Sequence, residues 1–219
     1  MKIVAINGSP RGKDGNTHVM VETFLQGARE PGAETINILL AEKEIKHCRG
    51  CHSCWFHTPG QCAIKDDMSE VLSSAAGANV IILATPVHFE NISGMLKVFM
   101  DRMTVTGNPH TRKDTPAENQ PEPSTEPVTP KLVMISSCGF PDREEFQVIS
   151  HWIQRVAQKM RTEIIAEIYA TQGKRLTAPL EKIESAVTDF LKYVKQAGKE
   201  IATTMELSVA TEKSLTQNF

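Results

Sequence analysis

"KIVAINGSPRGKDGNT", residues 2–17, decides the fold. KIVAIN (2–7) is a short β-branched run that reads as a strand, and it ends in a loop rich in Gly, Ser and Asn. From Thr17 onward, Met20, Val21, Phe24, Leu25 and Ala28 fall at helical spacing on one face. Pro31-Gly32 then stops the helix.

The same two signals alternate along the rest of the chain. ETINILL (34–40) reads as a second strand. DDMSEVLSSAAGA (66–78) reads as a helix, with Asp66 and Asp67 favourable at its positive N-terminus. NVIILATP (79–86) is an almost unbroken apolar run, as a central parallel strand covered on both faces requires. SGMLKVFMDRM (93–103) is a helix that turns Leu96, Phe99, Met100 and Met103 inward. KLVMIS (131–136) and TEIIAEIYA (162–170) are the fourth and fifth strands. Between them REEFQVISHWIQRVAQKM (143–160) carries a stripe of Phe146, Ile149, Ile153, Val156 and Met160. A terminal helix is expected over 178–202, with Leu180, Ile183, Val187, Phe190 and Val194 inward. Five strands interleaved with helices predict an α/β fold with a doubly wound parallel sheet.

Two segments interrupt the rhythm. Residues 47–63 form a cysteine-rich loop after the second strand, and 105–130 contain six prolines and few apolar side chains. The proline-rich stretch suits neither a core helix nor an interior strand, so it reads as a long exposed insertion. One domain is expected over 1–202, followed by a loose polar tail over 203–219.

With 219 residues and a net charge of −2, the chain is long enough for a real core and gives no electrostatic reason to expect nucleic acid or an anionic membrane as partner. No apolar run is long enough to span a bilayer, and the first residues do not make a signal-peptide core. The expected location is therefore cytoplasmic. In a reducing compartment clustered cysteines are metal ligands, redox-active groups or plain free thiols.

Doubly wound sheets bind ligands beyond the carboxyl ends of their strands, where the strand order reverses. In the order 2-1-3-4-5 that point lies between the first and third strands. The loop after the first strand, NGSPRGKDGNT (7–17), has glycines at 8, 12 and 15, the polar side chains Ser9, Asn16 and Thr17, and the cation Arg11. It precedes a helix N-terminus, where unpaired N–H groups attract anions, so a phosphate monoester fits. The spacing matches neither the nucleoside triphosphate P-loop nor the dinucleotide fingerprint. A polar turn with an N-cap is the plainer alternative.

The loop after the third strand, ATPVHFENISG (84–94), turns at Pro86. Val87, His88 and Phe89 then offer backbone amides and apolar surface to a flat ring, while Asn91 and Ser93 are placed to cap the next helix. His88 also reads as a rim residue without chemistry. After the fourth strand, SSCGFPDREEF (136–146) holds Cys138, which reads as a small lining residue rather than a nucleophile. No serine-hydrolase or metalloprotease signature accompanies these loops.

Together, GSPRGKDGNT, CRGCHSCW…GQCAIKDDM, ATPVHFENISGMLKVFMDR and SSCGFPDREEF resemble the flavodoxin-like NAD(P)H-dependent FMN reductases, and within them the iron–sulfur flavoprotein branch and its near relatives. The resemblance runs over about residues 1–200 in order and spacing. It implies a flavodoxin-like three-layer sandwich that holds FMN noncovalently at the switch point. Ser9, Arg11, Asn16 and Thr17 would cradle the phosphate. Pro86, Val87, His88, Phe89 and Asn91 would contact the isoalloxazine, with Ser137, Cys138 and Gly139 on its other side. It further implies a homodimer or homotetramer, and a reaction in which a nicotinamide passes hydride to the flavin, which then reduces an acceptor such as a quinone, a flavin or a nitro compound. No catalytic acid, base or nucleophile is expected from the protein, since the cofactor carries the chemistry.

Four of the five cysteines, Cys48, Cys51, Cys54 and Cys62, lie within CRGCHSCWFHTPGQC (48–62). A C-x2-C-x2-C run can wrap three corners of a [4Fe–4S] cluster, and Cys62 can supply the fourth. Ala63 stands where ferredoxin loops of this kind place a proline. The pattern also suits free or redox-active thiols packed beside a flavin, and His47, His52 and His57 keep zinc open as a third use. With a cluster, the chain would relay single electrons from a ferredoxin-like donor. A non-catalytic flavodoxin-like carrier or a thiol redox sensor is the alternative from another class. A net charge of −2 argues against the carrier.

Overall fold

A computed structural model describes residues 1–107, 129–178 and 185–216. The five strands are β1 (Lys2–Asn7), β2 (Glu34–Leu39), β3 (Val80–Pro86), β4 (Lys131–Ser137) and β5 (Ile164–Ala170). They form one parallel sheet in the order β2-β1-β3-β4-β5, the expected order of a flavodoxin-like sandwich. The helices are α1 (Asn16–Arg29), α2 (Ser53–Phe56), α3 (Met68–Ala75), α4 (Gly94–Arg102), α5 (Gln147–Met160), α6 (Ser185–Thr204) and α7 (Val209–Leu215).

Period-two alternation sorts the strand side chains into two cores. Ile3, Ala5, Val80, Ile82, Val133 and Ile135 face α1 and α6. Val4, Ile6, Leu83, Leu132 and Met134 face α3, α4 and α5. The five apolar residues expected on the first helix are all buried, as are Leu96 and Phe99 of α4. Burying each such side chain contributes roughly 1.5–3 kcal/mol relative to leaving it exposed. These two cores fix the strand ends, and so the loops that leave them.

Three expectations need correction. Residues beyond Thr203 are not a loose tail over 209–215: that stretch is α7, which buries Thr211 and Leu215. Its attachment is polar. Glu200 of α6 accepts hydrogen bonds from the Ser208 amide (2.9 Å), the Ser208 hydroxyl (3.0 Å) and the Thr211 hydroxyl (2.9 Å). The helix expected from residue 143 begins as a 3-10 turn, Arg143–Phe146. Asp66 does not serve a helix N-terminus alone, because its carboxylate is clamped by Arg102. Most of the proline-rich insertion, and Leu180 and Ile183, lie outside the described residues.

Candidate functional site

Three loops meet at the carboxyl ends of β1, β3 and β4. Between β1 and α1 the chain folds into tight turns: the Gly12 amide donates to Ser9 C=O (3.0 Å) and the Gly15 amide to Gly12 C=O (3.2 Å). Gly12 takes a φ of 53°, which a side chain rarely tolerates. The Ser9 amide donates to Asn7 Oδ1 (3.0 Å), and Ser9 is buried. A Cβ on Gly15 would stand 2.3 Å from Ser9 Oγ, so the loop packs to the limit of backbone approach. It delivers the chain to α1, whose first amides at Asn16 and Thr17 have no intrahelical acceptor and stand at the positive helix end beside the carboxyl ends of the strands.

The β3 loop is bonded to its neighbours on both sides. Thr85 Oγ1 accepts the Ser93 amide (2.8 Å), and Ser136 Oγ donates to Thr85 C=O (2.7 Å). The Val87 amide donates to Ser137 C=O (2.9 Å). His88 and Asn91 exchange backbone hydrogen bonds across a turn whose central residues, Phe89 and Glu90, have φ of 47° and 65°. Left-handed backbone at two successive non-glycine residues is costly, and such strain gathers at functional sites. The turn leaves the Phe89 ring wholly exposed. Ser93 caps α4, as expected, by accepting the Leu96 amide; Asn91 instead bonds the adjacent Ile92 amide.

At the end of β4 the Ser137 and Thr17 hydroxyls are hydrogen-bonded at 3.0 Å, both buried. Thr17 therefore supplies its backbone rather than its side chain to the crevice. The Cys138 thiol donates to Phe140 C=O (3.3 Å), and burial holds its pKa above the ordinary range. A protonated, bonded thiol is a lining group, not a nucleophile. A Cβ on Gly139 would meet open space. The loop after β5, which the sequence did not mark, joins in: Gly173 N–H donates to Cys138 C=O (2.7 Å) and Thr177 Oγ1 donates to Asn16 Oδ1 (2.9 Å). Ser9, Asn16, Thr17, Pro86, Val87, Ser137 and Cys138 thus form the walls, and Arg11, His88, Phe89, Asn91 and Gly139 the exposed rim.

The cysteine loop stands apart from these walls and packs on the far end of α4. Its two ends are held by one buried ion pair: Arg102 forks onto Asp66 at 2.5 and 3.0 Å, with both side chains 1% exposed. Arg102 also donates to Lys46 C=O (2.9 Å), and Asp66 accepts the Lys46 amide (2.9 Å). Burial alone would push the Asp66 pKa up, but the Arg102 fork and the backbone amides of Lys46 and Met68 outweigh it and hold the carboxyl low. Trp55 Nε1 donates to Thr104 C=O (2.7 Å), pinning α2 beside α4.

All five cysteines are free thiols, with Cys48 and Cys51 exposed and Cys54 and Cys62 half-buried. Among the described residues no three His, Cys, Asp or Glu side chains converge as a metal site, so neither the cluster nor the zinc arrangement is drawn together. Reduced sulfurs have no bond that would gather them. The loop nonetheless suits a cluster in its donors. The Gly50 amide donates to Cys48 Sγ at 3.5 Å. Amide hydrogen bonds to sulfur are one of the means by which proteins tune iron–sulfur centres.

Fold and crevice together define a flavodoxin-like protein. Residues 1–175 match the family model of the NADPH-dependent FMN reductases, and the chain belongs to that family. Among curated proteins it is similar to an iron–sulfur flavoprotein of Methanocaldococcus jannaschii, 44% identical over 102 residues, which covers 47% of this chain and 51% of the relative. It is also similar to an iron–sulfur flavoprotein of Methanosarcina thermophila, 36% identical over 102 residues (47% and 52%). The chain thus spans about half the length of the curated relatives it matches. Among solved structures, an FMN-dependent NADH-azoreductase of Bacillus anthracis aligns over 92% of this chain and 99% of its own with a TM-score of 0.61 at 16% identity, which shows the shared fold.

Proposed function

We propose that the protein is an FMN-dependent NAD(P)H oxidoreductase. The observation that carries this reading is the α1 N-terminus standing at the carboxyl ends of β1 and β3, where the strand order reverses, behind a loop folded as tightly as its glycines allow. The amides of Asn16 and Thr17, the Ser9 hydroxyl and the Arg11 guanidinium suit a dianionic phosphate. Pro86, Val87, His88, Phe89 and Asn91 on one side, and Ser137, Cys138 and Gly139 on the other, suit a flat ring. FMN bound there would accept hydride from a nicotinamide and hand the electrons to an acceptor. A small molecule such as a quinone, a flavin or a nitro compound is the acceptor this reading favours. The fully exposed Phe89 and the exposed Phe140 favour a second copy over the rim, in a homodimer or homotetramer.

A second reading adds a [4Fe–4S] cluster on Cys48, Cys51, Cys54 and Cys62, making the protein a relay of single electrons from a ferredoxin-like donor. It is favoured by the four thiols on one clamped loop with an N–H directed at sulfur. Anaerobic purification followed by a visible spectrum tests both. Released FMN and bleaching by NADPH support the oxidoreductase; a protein that binds no FMN sinks it. Iron, acid-labile sulfide and broad absorbance beyond the flavin bands support the relay; iron-free protein after anaerobic reconstitution removes it.

A further inference from the structure

β5 ends the sheet, so one of its edges has no neighbouring strand. A cavity of about 780 Å³ is lined by β5 from Glu163 to Tyr169 and, across from it, by the α6–α7 turn and α7. That volume falls within the range of small-molecule sites, roughly 300–1,000 Å³. The cavity shares no residue with the loops beyond β1 and β3. Its wall is apolar at Ile164, Ile165, Leu207 and Leu215.

Arg143 supplies a cation at one end. Ala170 C=O accepts the Cys138 amide from β4. Successive residues of a strand turn their main-chain groups to opposite edges, so the N–H and C=O of Tyr169 face outward. Arg143 Nη1 reaches that edge and donates to Tyr169 C=O at 3.4 Å. Arg143 is half-buried, and among the described residues no carboxylate pairs with it. The neighbouring charges are already engaged: Lys131 pairs with Glu163, and Glu167 accepts the Tyr169 hydroxyl. Glu206 and Glu212 are exposed on the α7 side. Phe146 stacks on Tyr169 with ring centres 4.6 Å apart and planes at 8°, which holds the Arg143 end of the wall in place.

We propose that this cavity binds a small organic carboxylate with an apolar body. The carboxylate takes the Arg143 guanidinium and the outward Tyr169 N–H, and the body lies on Ile164, Ile165 and Leu207. A guanidinium matches a carboxylate with two parallel donors, and such charge-assisted bonds are roughly twice as strong as neutral ones. Arg143 has only a carbonyl to give up in exchange. Glu206 and Glu212 repel the anionic end from the α7 side, which fixes the direction in which the ligand lies.

Hexanoate and its neutral twin 1-hexanol test this on the purified full chain, by calorimetry and by amide chemical shifts of 15N-labelled protein. Hexanoate is expected to saturate, to shift the amides of 164–169 and 212–216, and to bind about tenfold more tightly than hexanol. Arg143→Gln is expected to lose that tenfold advantage and to leave hexanol binding as it was. Equal affinity for the two ligands overturns the proposal. So does R143Q that binds hexanoate as tightly as the wild type, or a shift map confined to the loops beyond β1 and β3. Hexanoate that fails to saturate below about 20 mM overturns it as well. Should R143Q not fold, the wild-type comparison of the two ligands and its shift map decide the matter. Flavin plays no part in these readouts, so loss of the oxidoreductase reading would leave the test intact.

Discussion

The Ser93 hydroxyl donates to the Gly8 carbonyl at 2.6 Å while accepting the Leu96 amide at 3.1 Å. One buried oxygen thus caps α4 and ties the β3 loop to the loop that opens α1. Ser93→Ala leaves the Gly8 carbonyl and the Leu96 amide without that partner. We expect a loss of about 1–3 kcal/mol in urea unfolding of the apoprotein. FMN affinity, read by quenching of flavin fluorescence, should fall as well.

Gly15 has φ −84° and ψ 140°, a conformation alanine adopts freely, so backbone strain plays no part there. What Gly15→Ala does is place a methyl 2.3 Å from Ser9 Oγ. Overpacking of this kind costs ~1–3 kcal/mol. Displacing Ser9 from the anion-facing loop should weaken FMN binding about tenfold, equivalent to ~1.4 kcal/mol. Unchanged FMN affinity would contradict the phosphate role given to this loop.

The Thr17–Ser137 hydroxyl pair joins α1 to the β4 loop in a buried position. Thr17→Val keeps the shape and strands the Ser137 hydroxyl, which should cost about 1–3 kcal/mol. Adding Ser137→Ala should recover most of that, since removing both partners of a buried pair is nearly neutral. The double-mutant cycle in thermal or chemical unfolding measures the coupling directly.

Glu200 holds α7 through the hydrogen bonds of Ser208 and Thr211. Burial pushes its pKa up, but the donors, led by Gln196, outweigh that and hold it below the ordinary value. A carboxyl depressed in the folded state gives stability that is full above its unfolded pKa, about 4.3, and is lost as pH falls through the folded value. The amides of 209–215 should therefore exchange with solvent faster at pH 3.5 than at pH 5, after correction for intrinsic rates. Glu200→Ala should show fast exchange at both.

The strands were legible because parallel strands buried on both faces run apolar, and β3 is nearly pure in Val, Ile, Leu and Ala. The crevice loops were legible because glycine and short polar residues mark the backbone's close approach. The side chains that fasten these parts were not. Arg102 sits between Met100 and Met103 in a helix pattern and reads as a surface charge; only the tertiary fold brings Asp66 from 36 residues away to bury it. α7 has two apolar anchors at most, and Val209 is exposed, so its docking depends on a carboxylate eight residues upstream. The Thr177–Asn16 bond spans 161 positions, beyond any local signal.

Helix α4 has a consequence that reaches past its place in the core. Its cap, Ser93, is fixed to the mouth of the crevice, and its last residue, Arg102, is fixed to the cysteine loop. Nine residues at about 1.5 Å each make a strut of about 13 Å. The helix behaves as a ruler: the separation between the loops beyond β1 and β3 and the cysteine loop is set by a count of residues, not by the flexing of loops.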